Sequence, residues 1–398
     1  MEKGWMKKNI CFVVSSMTTV KAFLLDHVTA FSQMYDVSVI ANTSDTGYFN
    51  AAGIEATLLP VCIERRIAPW YDLKALFRLV YLFRKHRFDV VHSVTPKAGM
   101  LATIAGRMAG VPVRVHTFTG QVWATSRGLK RLLLKMADRL LAFFATDILV
   151  DSFSQREFLI AEGVVSADKS RVLASGSISG VNPDRFRPNP ESREMIRGKY
   201  RIPATDVVFL YVGRLKKDKG ILDLANAFVR LSASRQSVWL MLVGPDEENL
   251  TPTIGRVCET CKDRVFFEGF VASPAQYMAA GDVLCLPSYR EGFGSVVIEA
   301  AAVGIPAIVS GIYGLTEAVE AGVTGMLHEP ADQSSLQRLM AQMADNAELR
   351  RQMGKAARER AVGKFSKSEV TRALCAYYRR LLGDELVGEL TPGHGAAK

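Results

Sequence analysis

A chain of 398 residues is too long for one ordinary hydrophobic core and fits two domains. Hydrophobic residues make up 48% of it, yet no run approaches the roughly 18–20 apolar residues that cross a bilayer, so a globular rather than a membrane-spanning chain is expected. Six scattered cysteines, Cys258 and Cys261 reading as ordinary helix residues, exclude a disulfide framework and suit a reducing cytosol.

In chain order, the lysines near the start precede only Ile10 to Val14, a run of strand length with no small-residue cleavage site after it. That is expected to be a first buried strand rather than a signal peptide. NICFVVS, DVSVIAN, ATLLPV, DVVHSV, VRVHTF, DILVDS and RVLAS then read as short buried strands. Helical segments such as Val20 to Met34 and Lys97 to Ala109 separate them, which predicts a parallel, doubly wound sheet. The hydroxyls after the first strand, Ser16 among them, either face a phosphate or sugar or cap the next helix. The net charge of +10 belongs to this half, because residues 1–190 hold 24 Lys/Arg against 15 Asp/Glu and the remainder 26 against 25. Two segments, Leu73 to Phe88 and Gly128 to Ala145, combine large apolar residues at helical spacing with basic ones. They either lie on anionic lipid, with Lys130, Arg131, Lys135 and Arg139 as the membrane face, or simply cover the sheet. Nucleic acid is not expected, since no helix-turn-helix, zinc-finger or RNP-like pattern accompanies the charge.

The Pro-rich stretch VNPDRFRPNPES (Val181 to Ser192) reads as a linker, which divides the chain into domains 1–186 and 187–365. The second half restarts with VVFLYVG, WLMLVG, VFFEG, VLCLPS, PAIVS and GMLHE, again separated by helices, so two Rossmann-like domains facing a cleft are predicted. Residues 366–383 form a last helix long enough to cross back to the first domain, and a loose tail follows.

Neither half has a Gly-x-Gly-x-x-Gly turn after its first strand, which disfavours a dinucleotide oxidoreductase. In YVGRLKKDKG, Gly213 and Arg214 follow a strand directly, and Lys219 comes five residues after the arginine. A planar guanidinium fork and a mobile ammonium together suit a diphosphate. In YREGFGSVVIEA, Glu291 sits on a Gly-rich turn and Glu299 eight residues later in a helix opening near Gly294. The first turn, Gly294, Ser295 and Val296, leaves backbone N–H groups for an anion, flanked by the two carboxylates. A plain turn with a solvated Glu299 is the alternative. The apolar neighbours of Glu299 weigh against it, since a charge there is costly unless used.

These motifs, with VFFEGF (Val265 to Phe270), LPSYREGFGSVVIEAAAVGIPAIVS and GMLHEP, resemble the donor half of the family-4 retaining glycosyltransferases of GT-B fold. Phe88 to Trp123 is similar to the acceptor half of members that build bacterial capsule, O-antigen or lipid-linked glycans on a polyprenyl carrier. The resemblance implies that Arg214 and Lys219 bind the donor diphosphate, Glu291 the transferred sugar and Glu299 the ribose. The main chain around Gly269 and Phe270 would meet the base. Acceptor contacts would fall on Lys97, His116, Thr119 and Gly120. Many members carry His in a Thr-x-His-Gly turn where this chain reads Thr117-Phe118-Thr119-Gly120, a departure that leaves the contacts of His116 and Thr119 open.

No Asp-x-Asp occurs, so no metal ligands are expected, and no cofactor beyond the substrate, a UDP-linked sugar. The resemblance further implies retention by front-face attack, a polyprenyl-diphosphate acceptor, and a cytoplasmic enzyme held peripherally on the inner face of the cell membrane. A nucleotide-sugar epimerase and a phosphorylase would use a similar cleft. A phosphorylase would need a lysine-held pyridoxal site that the sequence does not offer, and a non-enzymatic membrane-binding scaffold leaves Arg214, Lys219, Glu291 and Glu299 without a role.

Overall fold

A computed structural model describes residues 7–64, 66 and 68–384. Two parallel sheets organise it. The first holds β1 (Asn9–Val13), β2 (Asp36–Ala41), β3 (Ala56–Pro60), β4 (Val90–Val94), β5 (Val113–Phe118), β6 (Asp147–Val150) and a two-residue β7 (Ser170–Arg171), in the order β3-β2-β1-β4-β5-β6-β7. The second holds β8 (Val207–Val212), β9 (Val238–Val243), β10 (Val265–Gly269), β11 (Val283–Leu286), β12 (Ala307–Ser310) and β13 (Gly325–His328), in the order β10-β9-β8-β11-β12-β13. Every expected strand segment but RVLAS forms one; of RVLAS only Arg171 joins a strand. Parallel strands covered by helices on both faces need near-continuous apolar runs, and VVFLYV of β8 and VLCL of β11 are buried almost throughout.

Both sheets reverse their winding once, between β1 and β4 and between β8 and β11. Loops leaving the carboxyl ends of such a strand pair diverge to opposite faces and open a crevice. The fold therefore puts Ser15 and Ser16 at one crevice, and Gly213, Arg214 and the 287–294 loop at the other.

The helix expected over Val20 to Met34 is broken: a π-helical turn, Val20–Leu24, precedes the α-helix Leu25–Ser32. The closing helix, Lys367–Leu382, starts behind Ser366, whose hydroxyl accepts from Glu369 N–H at 3.4 Å, and packs on the first sheet. Tyr378 anchors it beside the buried Val370, Thr371, Leu374 and Tyr377. It is fully buried, meets Phe31 edge-on at 4.7 Å, and its hydroxyl lies 2.8 Å from His92 Nδ1. The Thr371 hydroxyl and the Ile178 carbonyl hold the His27 ring at 2.9 and 2.7 Å. The chain crosses between the sheets twice, near Val181 and Ser366, and the two crossings pair: Val181 N–H donates to Phe365 O (2.7 Å) and Lys367 N–H to Val181 O (2.8 Å). Gly180 has φ 65°, and a Cβ there would stand 2.6 Å from Phe365 O, so only glycine lets the crossings meet.

Candidate active site

One cavity of about 300 Å³ is lined by residues of both domains. Its second-domain wall carries Gly213, Arg214, Lys219, Glu291 and the helix opening Gly294-Ser295-Val296; Thr119 and Asp151 face them from the first domain. Two glycines let the lysine and the helix in. Gly220 (φ 66°) turns the chain behind Lys219, where a Cβ would sit 1.9 Å from Pro287 O. Gly294 (φ 76°) caps the Ser295–Val303 helix, where a Cβ would sit 2.4 Å from Leu315 Cδ2. Ser295 and Val296, whose N–H groups lie at the helix start where no carbonyl one turn back can accept them, line the cavity, while Val297 N–H donates to Gly294 O at 2.8 Å.

The electrostatics of the wall centre on one pair. Lys219 Nζ lies 2.6 Å from Glu291 Oε1, both side chains 15% exposed, and the Ser288 hydroxyl donates to the same oxygen at 2.8 Å. Arg214 is half exposed and turns to Glu247 at 3.2 Å, a surface contact of little strength. Both cations reach the cavity from flexible stems, so either can redirect to an anion placed in it.

Other expected residues lie elsewhere. Glu299 is on the same helix but does not line the cavity; burial pushes its carboxyl up to about 7, against the opposing pull of Arg185. Gly269 (φ 58°) ends β10 and accepts from Gly244 N–H at 2.7 Å, and the Phe270 ring is 80% exposed outside the cavity. Ser16 stands at the start of the Met17–Thr19 turn with its hydroxyl 3.3 Å from that of Thr19. Lys97, in the first turn of the Pro96–Ala109 helix, is spent on Asp72 at 2.5 Å and on the Arg66 carbonyl.

The acceptor-side loop divides sharply. Thr119 O and Gly120 press against Gly292 of the other domain, where a Cβ on Gly292 would stand 2.1 Å from Thr119 O. His116, expected among the acceptor contacts, instead belongs to the core. Its Nδ1 lies 2.9 Å from the Ser93 hydroxyl, its ring meets Phe118 edge-on, and a Cβ on Gly99 would stand 2.4 Å from it. Burial lowers its pKa to about 3, so the ring is neutral. The reason is strand phase: along β5, His116 and Phe118 share the face under the Pro96–Ala109 helix and Thr117 takes the other.

The basic membrane face is also corrected. On the Gly128–Phe144 helix, Arg131 and Lys135 bind the two Glu162 oxygens at 2.8 and 2.5 Å, and Arg139 donates to Gly163 O and Glu162 O. Only Lys130 of the four carries no such tie among the described contacts. Beside the exposed Lys130 and Arg139, this helix turns a row of apolar side chains outward: Leu129, Leu132, Leu133, Met136, Leu140 and Phe143 are all exposed. The Pro69–His86 helix likewise exposes Trp70, Phe77 and Tyr81, with Lys74 and Arg78 beside the rings.

Asp151 went unnoticed in the sequence, although DILVDS puts it just past a buried strand, where ligands bind. Ser154 was missed as well. Its N–H and hydroxyl donate to Glu317 at 2.6 and 2.7 Å, and Ser152 Oγ donates to Gly292 O at 3.1 Å, so the domains touch around the cavity. Among the described residues, no group of three or more His, Cys, Asp or Glu is arranged to hold a metal ion.

Comparison with known proteins accords with this geometry. Residues 192–360 match the model for glycosyl transferases group 1, and residues 23–176 that for a glycosyl transferase 4-like domain. The capsular polysaccharide biosynthesis glycosyltransferase CapM of Staphylococcus aureus is 30% identical over 321 residues, 80% of this chain and 84% of that one. The chain belongs to the family-4 glycosyltransferases of GT-B fold. The Escherichia coli UDP-Gal:alpha-D-GlcNAc-diphosphoundecaprenol alpha-1,3-galactosyltransferase is 28% identical over 321 residues, covering 79% of this glycosyltransferase and 81% of the relative. The crystal structure of Anabaena Alr3699/HepE with UDP and glucose shares the fold, with a TM-score of 0.79 at 20% identity over 94% of this chain and all of that one.

Proposed function

We propose that this glycosyltransferase moves a sugar from a UDP-sugar, with retention and without a metal ion, to a saccharide on a polyprenyl diphosphate, while seated on the inner face of the cell membrane. The observation that carries the donor half is the single cavity where Arg214, Lys219 and the opening of the Ser295–Val303 helix converge beside Glu291. These groups supply positive potential for a diphosphate that gains charge as it leaves, which is where preorganised charge lowers a barrier most. UDP-bound neighbours of the same fold, and a relative whose name specifies UDP-Gal, support the nucleotide. We assign Glu299 to the ribose hydroxyls and the chain around Gly269 and Phe270 to the base.

In the reaction, the bond from the anomeric carbon to the diphosphate oxygen breaks and a bond from the acceptor oxygen forms. The acceptor proton passes to the departing phosphate. Glu291 is engaged by Lys219 and Ser288, and burial holds the Asp151 carboxyl in its acid form, pushed up to about 8. The pairing of one Glu291 oxygen and the burial of Asp151 both lessen carboxylate nucleophilicity, which favours attack on the face the diphosphate leaves. Closure of the domains over the cavity limits transfer to water.

The lipid-linked acceptor and the membrane seat rest on the two apolar stripes. The Gly128–Phe144 helix follows β5 and the Pro69–His86 helix follows β3, the edge strand of the first sheet. Leucines and phenylalanine suit the acyl boundary; Trp70 and Tyr81 beside Lys74 and Arg78 suit the headgroup level. No described helix is long and apolar enough to cross a membrane. The relative named for a GlcNAc-diphosphoundecaprenol acceptor supports the same class of carrier.

The test is UDP release from a panel of UDP-sugars with a synthetic polyprenyl-diphosphate N-acetylhexosamine, beside vesicle sedimentation. Transfer to the lipid-linked saccharide, with binding that survives high salt and is lost in a Leu132→Ser, Leu133→Ser, Met136→Ser variant, is the expected result. Equal use of the free saccharide, with no vesicle binding at any salt, would overturn the lipid-linked acceptor and leave the transferase.

A further inference from the structure

Asp151 is the one carboxyl of the cavity wall contributed by the first domain. It follows β6 directly, and its backbone is held on both sides: its N–H donates to Gln155 Oε1 at 3.2 Å and its carbonyl accepts from Ser177 N–H at 2.7 Å. The residue is 5% exposed, and Oδ1 is buried without a hydrogen-bond partner among the described residues. Oδ2 stands 3.1 Å from where a Cβ on Gly292 would be, so the carboxyl lies against the residue following Glu291. A buried carboxyl oxygen with no partner is costly, and most such atoms in folded proteins are satisfied by something.

We infer that Asp151 faces the transferred sugar and holds it through a hydrogen bond to one of its hydroxyls. The inference rests on the transferase reading above and adds a first-domain determinant of sugar recognition to it. A diphosphate is the wrong partner for this group, because Arg214, Lys219 and the helix opening gather the positive potential and Asp151 stands with Glu291. A sugar hydroxyl, which both donates and accepts, is the chemistry that fits an unpartnered carboxyl.

The protonation state follows from the surroundings. Across the cavity stand Glu291, Lys219 and Arg214. Behind Asp151 a small cavity of about 30 Å³ is lined by His27 and His92, both with pKa values lowered by burial and so neutral. Burial alone pushes Asp151 up to about 8. At pH 7 the group is an acid that donates as well as accepts, and Asn mimics it in shape and in both capacities.

The experiment compares the affinity of UDP with that of the UDP-sugar turned over fastest, by titration calorimetry, for wild type, Asp151→Ala and Asp151→Asn at pH 6.5 and pH 9. Asp151→Ala should leave UDP affinity within about twofold and weaken the UDP-sugar about tenfold. Asp151→Asn should keep the wild-type preference at both pH values. Equal weakening of UDP and UDP-sugar in Asp151→Ala, with an unchanged melting curve, would overturn the inference. So would an unchanged preference in Asp151→Ala, or a loss in Asp151→Asn as large as in the alanine variant. If the wild type binds and turns over no nucleotide sugar, the transferase reading fails and takes this inference with it. A wild type that prefers the UDP-sugar while Asp151→Ala keeps that preference defeats only the role of Asp151.

Discussion

Replacing Glu291 with Gln separates sugar contact from nucleotide binding, because the structure gives this carboxylate two duties. It neutralises Lys219 at 2.6 Å and accepts from Ser288 at 2.8 Å, and in the proposed reaction it accepts from the transferred sugar. Gln keeps the shape and the Ser288 bond but removes the charge. A charge-assisted hydrogen bond contributes about 1.5–3 kcal/mol, so its weakening in the transition state should lower kcat about 10- to 150-fold. Free UDP should respond in the opposite sense. Lys219 loses its counter-ion inside a wall where both side chains are only 15% exposed, and an anion becomes its best remaining partner. Relief of the competition should leave UDP affinity unchanged or raise it by up to about fivefold, or about 1 kcal/mol. Calorimetric titration of UDP and initial rates of UDP release supply the two numbers on one preparation. A UDP affinity that falls in step with kcat would refute the division of duties, since it would mean that the ion pair itself shapes the diphosphate site.

Lys219→Ala should weaken UDP binding and lower kcat by about a hundredfold with an unchanged fold, while EDTA should leave wild-type rates intact; abolition by the chelator would point to a metal. Gly220→Ala must place a Cβ on Pro287 O, so it should destabilise by more than about 2 kcal/mol, measured as a urea midpoint. Tyr378→Ala should cost about 3–5 kcal/mol by emptying the seat of the closing helix. Tyr378→Phe, which loses only the His92 contact, should cost about 1 kcal/mol or somewhat more. Burial depresses His92 and His116 to about 3, so both take up protons on unfolding; their contribution should be full above about pH 6.5 and fall as pH drops toward 3, by up to about 2.8 kcal/mol per pH unit, against the opposite contribution of the buried Asp151 and Glu299 carboxyls, raised to about 8 and 7. Imidazole proton resonances that titrate near pH 6.5 in the folded protein would show that the rings are solvated.

Local chemistry accounts for the features that could be read from the chain alone. Strands such as VVFLYV and VLCLPS are legible because a parallel strand covered on both faces must be apolar throughout, and Gly or polar residues punctuate its ends. Arg214, Lys219 and Glu291 were legible for the same reason, since each sits within a few residues of a strand's carboxyl end, where the doubly wound fold opens its crevice. Direction and partnership were not local. The Gly128–Phe144 helix carries both basic and apolar residues, and only its packing decided that Arg131, Lys135 and Arg139 turn to Glu162 and Gly163 while the leucines face out. His116 could not be told from a cleft residue until the phase of β5 buried it against Ser93 and Gly99. Asp151 gained meaning only when Gly292, distant in sequence, closed over it, because burial and the loss of a partner depend on what another domain brings near.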